Sequence, residues 1–235
     1  DGGEQFFTRA VDFGYSKTAA ETFTKWPHDT ILSDMVWVIR NFKPDIIITR
    51  FPADERAGHG HHTASAMLAE EAFAAAADPT KFPEQLIYVS VWQAQRLFWN
   101  NSTWWDKDLP NKIANGAPEL AVFDVGGYNT LLGKSYGEIA AESRTNHKSQ
   151  GFGSTPTRGE QKEYLELKKG TAIQNSDIFS GIQLGWERYR QGADIQNTIN
   201  SIISNYDILH PEKSVDALLK VYGQLKLIPE DQLIQ

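Results

Sequence analysis

A proline followed by an unbroken apolar run, Pro44-Asp45-Ile46-Ile47-Ile48-Thr49, with an alanine-rich stretch shortly after it, restricts this chain more than any other feature. A short apolar run of that kind is what a strand buried on both faces requires, and such strands belong to parallel sheets. From about Thr63 to Ala77 the spacing places Ala64, Met67, Leu68, Ala72 and Ala75 on one side of a helix. Strand, loop and helix in that order make an α/β unit. The connecting loop then lies at the carboxyl end of the strand, where open α/β sheets build their ligand crevices.

That loop is Asp54-Glu55-Arg56-Ala57-Gly58-His59-Gly60-His61-His62-Thr63-Ala64, and it holds three of the six histidines. Gly58 and Gly60 flank His59 and permit a sharp turn or a close backbone approach. His62 falls at or just before the helix N-terminus, whose partial positive charge disfavours an imidazolium. A neutral imidazole is the form a metal needs. His59, on the loop itself, can point into the crevice and hand a proton to a leaving group. The same residues serve equally well as a solvated, helix-capping loop, since no cysteine or carboxylate stands at ligand spacing beside them.

A chain of 235 residues is long enough for one domain with a substantial core. Its formal net charge of -7, with no lysine or arginine block to offset it, excludes a general nucleic-acid binder. No apolar run approaches a membrane span. There is no cysteine, which removes disulfides, thiolate ligands and thiol nucleophiles, and suits an oxidising, periplasmic or extracellular setting.

Residues 6 to 28 mix aromatic and polar side chains, and Asp12 before Phe13-Gly14-Tyr15 reads as a strand entering a turn. Its carboxylate is placed to bind hydroxyls, although a loop aspartate is more often a turn residue. Asp29 is expected to cap a helix to about Phe42, which Lys43-Pro44 ends. Leu86 to Asn100 and Leu120 to Val125 are expected strands. Trp104-Trp105 is either core packing or a sugar-stacking surface. Ser135 to Gln150 reads as a helix stopped by Gly151; Arg144, His147 and Lys148 in its last turns suit the negative end of the dipole. Glu160 to Lys169, a segment capped by Asp194, and one opened by Pro211 read as further helices.

Gly58-His59-Gly60-His61-His62-Thr63-Ala64-Ser65 resembles the third motif of large bacterial members of the PIG-L (LmbE-like) family of zinc-dependent de-N-acetylases. The likeness continues through Trp92-Gln93, Arg96-Leu97-Phe98-Trp99-Asn100 and Ser143-Arg144-Thr145-Asn146-His147-Lys148-Ser149-Gln150-Gly151-Phe152-Gly153. The resemblance implies a Rossmann-like α/β layered sheet with a helical C-terminal part, over a single domain spanning residues 1–235. It implies Zn2+ or another divalent metal and hydrolysis of an acetamido group on an N-acetylated sugar. By the same resemblance His62 is the metal ligand and His59 the residue that stabilises the tetrahedral intermediate and protonates the amine, while Asp12, Arg144 and His147 contact substrate.

Two departures matter. Where many family members carry Pro-Asp between the paired histidines, this chain has Gly60-His61, so His61 would have to orient His59 or leave that task to another group. The His-Pro-Asp-Asp-Glu motif, source of two metal ligands and the general base, is absent. Residues 1–235 are therefore expected to be the later part of a longer polypeptide and inactive or nearly so alone. The second expectation, from a different class, is a non-catalytic carbohydrate-binding module derived from the same fold.

Overall fold

The computed structural model describes residues 3–150, 153–189 and 192–228. It divides into two units, Asp1–Ile178 and Phe179–Gln235.

In the first unit a short helix α1 (Ala19–Phe23) is capped by Thr18, whose side chain accepts from Glu21 N–H. Helix α2 (His28–Phe42) follows. Pro27, not Asp29, stands at its N-cap; Asp29 lies in the first turn, where a carboxylate still complements the dipole. The helix stops at Lys43 in the left-handed region, and Pro44 leads into β1 (Ile46–Thr49). Helix α3 spans Gly60–Ala75 and begins earlier than its apolar spacing indicates, because the glycine and histidines before Thr63 complete the first turn.

Of the stretch Leu86 to Asn100 only the end is extended, as β2 (Arg96–Asn101), while Pro83–Ile87 is a 3-10 turn. Next come α4 (Leu109–Ala114), β3 (Leu120–Asp124) and a small ribbon of β4 (Tyr128–Asn129) with β5 (Lys134–Ser135). Helix α5 (Tyr136–Thr145) opens with a capping box in which Ser135 and Glu138 exchange backbone bonds. It ends before Lys148–Gln150, a 3-10 turn; the expected stop at Gly151 lies outside the described residues.

The expected helix at Glu160 to Lys169 is a strand, β6 (Lys162–Gly170). Glu, Leu and Lys are good helix formers, but Leu165 and Leu167 repeat at a spacing of two and pack on the same core. Two neighbouring strands claim the backbone on both sides, and that outweighs local preference.

The main sheet runs β1-β2-β6-β3, with β1 parallel to β2 and the other pairs antiparallel. Ile47 and Leu97, partners in register, face α2 and α3 and the buried Ile31, Leu32, Val36, Ile39, Leu68 and Phe73. Phe98 faces the other way, onto Ala121, Leu165, Ile173 and Ile178. The unit is thus α/β, a mixed sheet with flanking helices. Truncating a side chain as enclosed as Leu68 to alanine costs about 2–5 kcal/mol.

One buried cation organises the far end of α3. Arg40 is 0% exposed and donates to the carbonyls of Ala75, Ala76, Asp78, Lys81 and Phe82 and to Gln85 Oε1, at 2.8–3.3 Å. A planar fork of N–H donors suits several carbonyls at once in a way an ammonium does not. These bonds satisfy the orphan carbonyls at the helix C-terminus and fix the turn that leads to β2.

The second unit, by itself, is helical. Helix α6 (Gly192–Ser204) starts ahead of Asp194, which sits in its first turn rather than at the cap. Pro211–Ser214 forms a 3-10 turn before α7 (Val215–Leu225). Ile195, Val221 and Ile228 are its core, with Trp186 packed against them.

Candidate functional site

The histidine loop leaves β1 at its carboxyl end. Arg50 binds Asn100 at the end of β2, and Asp54 accepts from Arg56 N–H to start a 3-10 turn, Glu55–Ala57. Gly58 then takes a positive φ of 80°, which a side chain would resist. Gly60 is the close-approach glycine: its N–H donates to Ser16 O at 2.9 Å, and a Cβ there would run into the Thr18 carbonyl. The N-terminal segment is thereby clamped across the start of α3.

The three histidines separate. His61 turns toward that N-terminal segment: Nδ1 lies 2.8 Å from Ser16 Oγ, and the ring stacks on Phe13 at 4.5 Å with Trp26 edge-on at 5.4 Å. It does not orient His59, so that task would fall to another group; its contacts are those of a packing residue. His59 occupies the N-cap position of α3 with no side-chain capping bond, and its exposed ring stands 5.0 Å from Tyr15 and 5.3 Å from His62. His62, in the first turn, lies flat on Phe51, centroids 3.8 Å apart and planes 8° from parallel.

This surrounding makes His62 a weak base. Burial comes first in lowering its pKa, followed by the repulsion of His59 and His61 should they charge. The unprotonated ring has a lone pair to offer near neutrality. Asp54, at the start of the loop, is held by Arg56 through two oxygens at 2.7–3.2 Å, and that bond holds its pKa below the usual carboxylate range.

On the outer side of Phe51, Trp105 stands 6.2 Å away and donates Nε1–H to Arg56 O at 2.9 Å. Trp104 is edge-on to Trp105 at 5.2 Å. The parallel pairing of β1 and β2 accounts for this meeting, because the loops after Thr49 and Asn101 leave the sheet side by side. Phe51 gave no pattern of its own in the sequence; its one signal is that it directly follows a parallel strand.

The remaining candidates lie apart from the histidine pair. Asp12 is in no strand, and its Oδ1 accepts from Gly14 N–H at 3.0 Å, a turn of its own making. Arg144 and His147 line a separate polar hollow of about 530 Å³ with Tyr136, Ile139, Ala140 and Ser143. No histidine of the loop reaches it.

Comparison with known proteins gives no match: no family model, no curated protein and no solved structure aligns with the chain. A catalytic zinc takes three protein ligands. Among the described residues no group of three or more His, Cys, Asp or Glu side chains is placed to hold a metal. His59 and His62 offer two imidazoles and Asp54 is already engaged, so the described residues do not by themselves complete such a site.

Proposed function

We propose that this chain carries the acid half of a zinc-dependent N-deacetylase acting on an N-acetylated sugar, built on a Rossmann-like sheet of the PIG-L type. The observation that carries the reading is the unlike state of two neighbouring imidazoles. His62 is half-buried, flat on Phe51 and kept neutral, whereas His59, 5.3 Å away, is exposed at the N-cap. Two titratable groups of one kind in different surroundings are how acid and ligand roles are divided.

In this reading His62 presents a nitrogen lone pair and His59 holds the proton that the departing amine takes up. A divalent metal supplies Lewis acidity and acidifies water in this class of chemistry. The reading needs a carboxylate and further ligands that the described residues do not bring to the pair. Asp12, exposed and next in sequence to Phe13, whose ring stacks on His61 and not on the His59–His62 pair, is the proposed contact for sugar hydroxyls through the resemblance alone. Arg144 and His147, in their own hollow, are left outside it. The setting proposed is an oxidising one, consistent with a chain that has no cysteine; among the described residues no helix is long and apolar enough to cross a membrane.

The test is acetate release from N-acetylglucosamine-containing substrates with added zinc, comparing residues 1–235, where little or no release is expected, with a form of the protein that carries a His-Pro-Asp-Asp-Glu segment, in which the outcomes are read. Release that disappears, together with bound metal, in His62→Ala supports the proposal. Binding of the same sugars without release under any metal favours the carbohydrate-binding module instead.

A further inference from the structure

The two histidines are the middle of a longer row of rings. Starting at Tyr15, ring centroids step to His59 at 5.0 Å, to His62 at 5.3 Å, to Phe51 at 3.8 Å, to Trp105 at 6.2 Å and to Trp104 at 5.2 Å. Three separate segments contribute to the row. Both of its ends are open to solvent: Trp104 is 76% exposed and Tyr15 is 64% exposed.

An exposed tryptophan leaves a large apolar face in contact with water. Trp104 is held by its backbone N–H, which donates to Ser102 Oγ at 3.3 Å, and by the edge-on contact of its ring with Trp105. The rings are also interleaved with polar groups: Arg50 lies 5.9 Å above Trp105 and bonds to Asn100, and Asn100 donates to Glu163 at 2.8 Å. Flat aromatic faces with hydrogen-bonding groups at their margins match a pyranose ring, which has an apolar C–H face and hydroxyls around its rim. A nucleic acid would also stack, but a chain of net charge -7 repels its phosphates.

We infer that this row of rings is a binding track for an oligosaccharide, with Trp104 and Tyr15 as the outer platforms on either side of the His59–His62 pair. The substrate class is then a chain of several acetamido sugars, not a free monosaccharide. This inference rests on the proposed deacetylase reading for the chemistry at the centre of the track, though not for the binding itself.

The experiment is titration calorimetry on chelator-treated protein, residues 1–235, with a β-1,4-linked tetramer of N-acetylglucosamine and with the monosaccharide. The tetramer should bind at least tenfold more tightly than the monosaccharide, and Trp104→Ala and Tyr15→Ala should each weaken the tetramer roughly tenfold or less, the range of one stacking contact. Both end residues are exposed, so loss of fold is not in question, and circular dichroism of each variant checks it. Equal affinity for monosaccharide and tetramer, or full tetramer affinity in both variants, overturns the track. Absence of sugar binding together with self-association that Trp104→Ala abolishes assigns the rings to a protein interface and overturns it as well. Release is read separately, in a form of the protein whose metal site is complete: tetramer binding there without acetate release under any metal leaves the track standing and removes the deacetylase reading, whereas release from the monosaccharide as fast as from the tetramer overturns the track and leaves the deacetylase reading standing.

Discussion

The imidazole of His62 and the ring of Phe51 form a parallel stack, 3.8 Å between centroids, at the carboxyl end of the parallel pair β1 and β2. One ring comes from the loop after the strand and the other from the helix that follows, so the stack closes the strand-loop-helix unit upon itself.

Replacing Phe51 with alanine exposes one face of His62 to water. Desolvation is the first cause of its lowered pKa, so in metal-free protein the His62 pKa should rise toward 6.5. A histidine-ring NMR titration reads this directly. An unchanged midpoint would show that the neighbouring histidines, not burial, set it.

In a form of the protein whose metal site is complete, His59→Ala should reduce kcat by about a hundred- to ten-thousandfold on an N-acetylated sugar, the usual range for a lost acid or base, with bound metal unchanged. Activity assays paired with metal analysis separate the two effects. Loss of metal in this variant would make His59 a ligand and reverse the roles given to the pair.

Gly60→Ala tests the clamp between α3 and the N-terminal segment. In an open helix this exchange stabilises by up to about 1 kcal/mol. Here the added Cβ meets the Thr18 carbonyl and comes within 2.6 Å of Ser16 Oγ, so the sign should invert to a loss of about 1–3 kcal/mol. Urea unfolding gives the value, and a stabilised variant would mean that residues 16–18 yield easily.

The capping box of α5 sets an acid limit. Arg158 and the Ser135 N–H hold the Glu138 carboxyl at about 2, down from 4.5. A depressed carboxylate stabilises the fold above its unfolded pKa and loses that contribution as the pH falls toward the folded value. Stability should therefore decline between pH 4.5 and about 2, and Glu138→Gln should flatten that part of the curve. Denaturant midpoints across the window measure it; salt should weaken the effect, since the Arg158 side chain is exposed.

Much of the α/β unit was legible in the sequence because one period governed each segment. The strand at Ile46–Thr49 and the helix after the histidines follow from apolar spacing, and the carboxyl-end placement of the loop follows from their order; the expected burial of that strand on both faces does not hold, because β1 lies at the edge of the sheet and Ile48 is 52% exposed. β6 was not legible, because Glu163 and Glu166 accept bonds across the sheet from Asn100 and Asn101 that local preference cannot register. The site divided in the same manner. His59 and His62 stand together because four residues of one turn hold them, whereas the partners of His61, at Phe13, Ser16 and Trp26, come from a segment with no pattern of its own. Phe51 and Trp105 meet only because two strands are parallel, a pairing no single segment announces.

The guanidinium of Arg40 also sets where this chain tolerates a change of length. Six acceptors spread over residues 75 to 85 meet donors whose spacing is fixed by a planar group, so adding or removing even one residue there pulls acceptors off the fork and leaves a charge buried without partners. The exposed turn around Leu131, 95% open to solvent between β4 and β5, carries no such tie. A tag, a spliced domain or a new pair of termini belongs at the ribbon tip; the stretch after α3 has to be kept residue for residue.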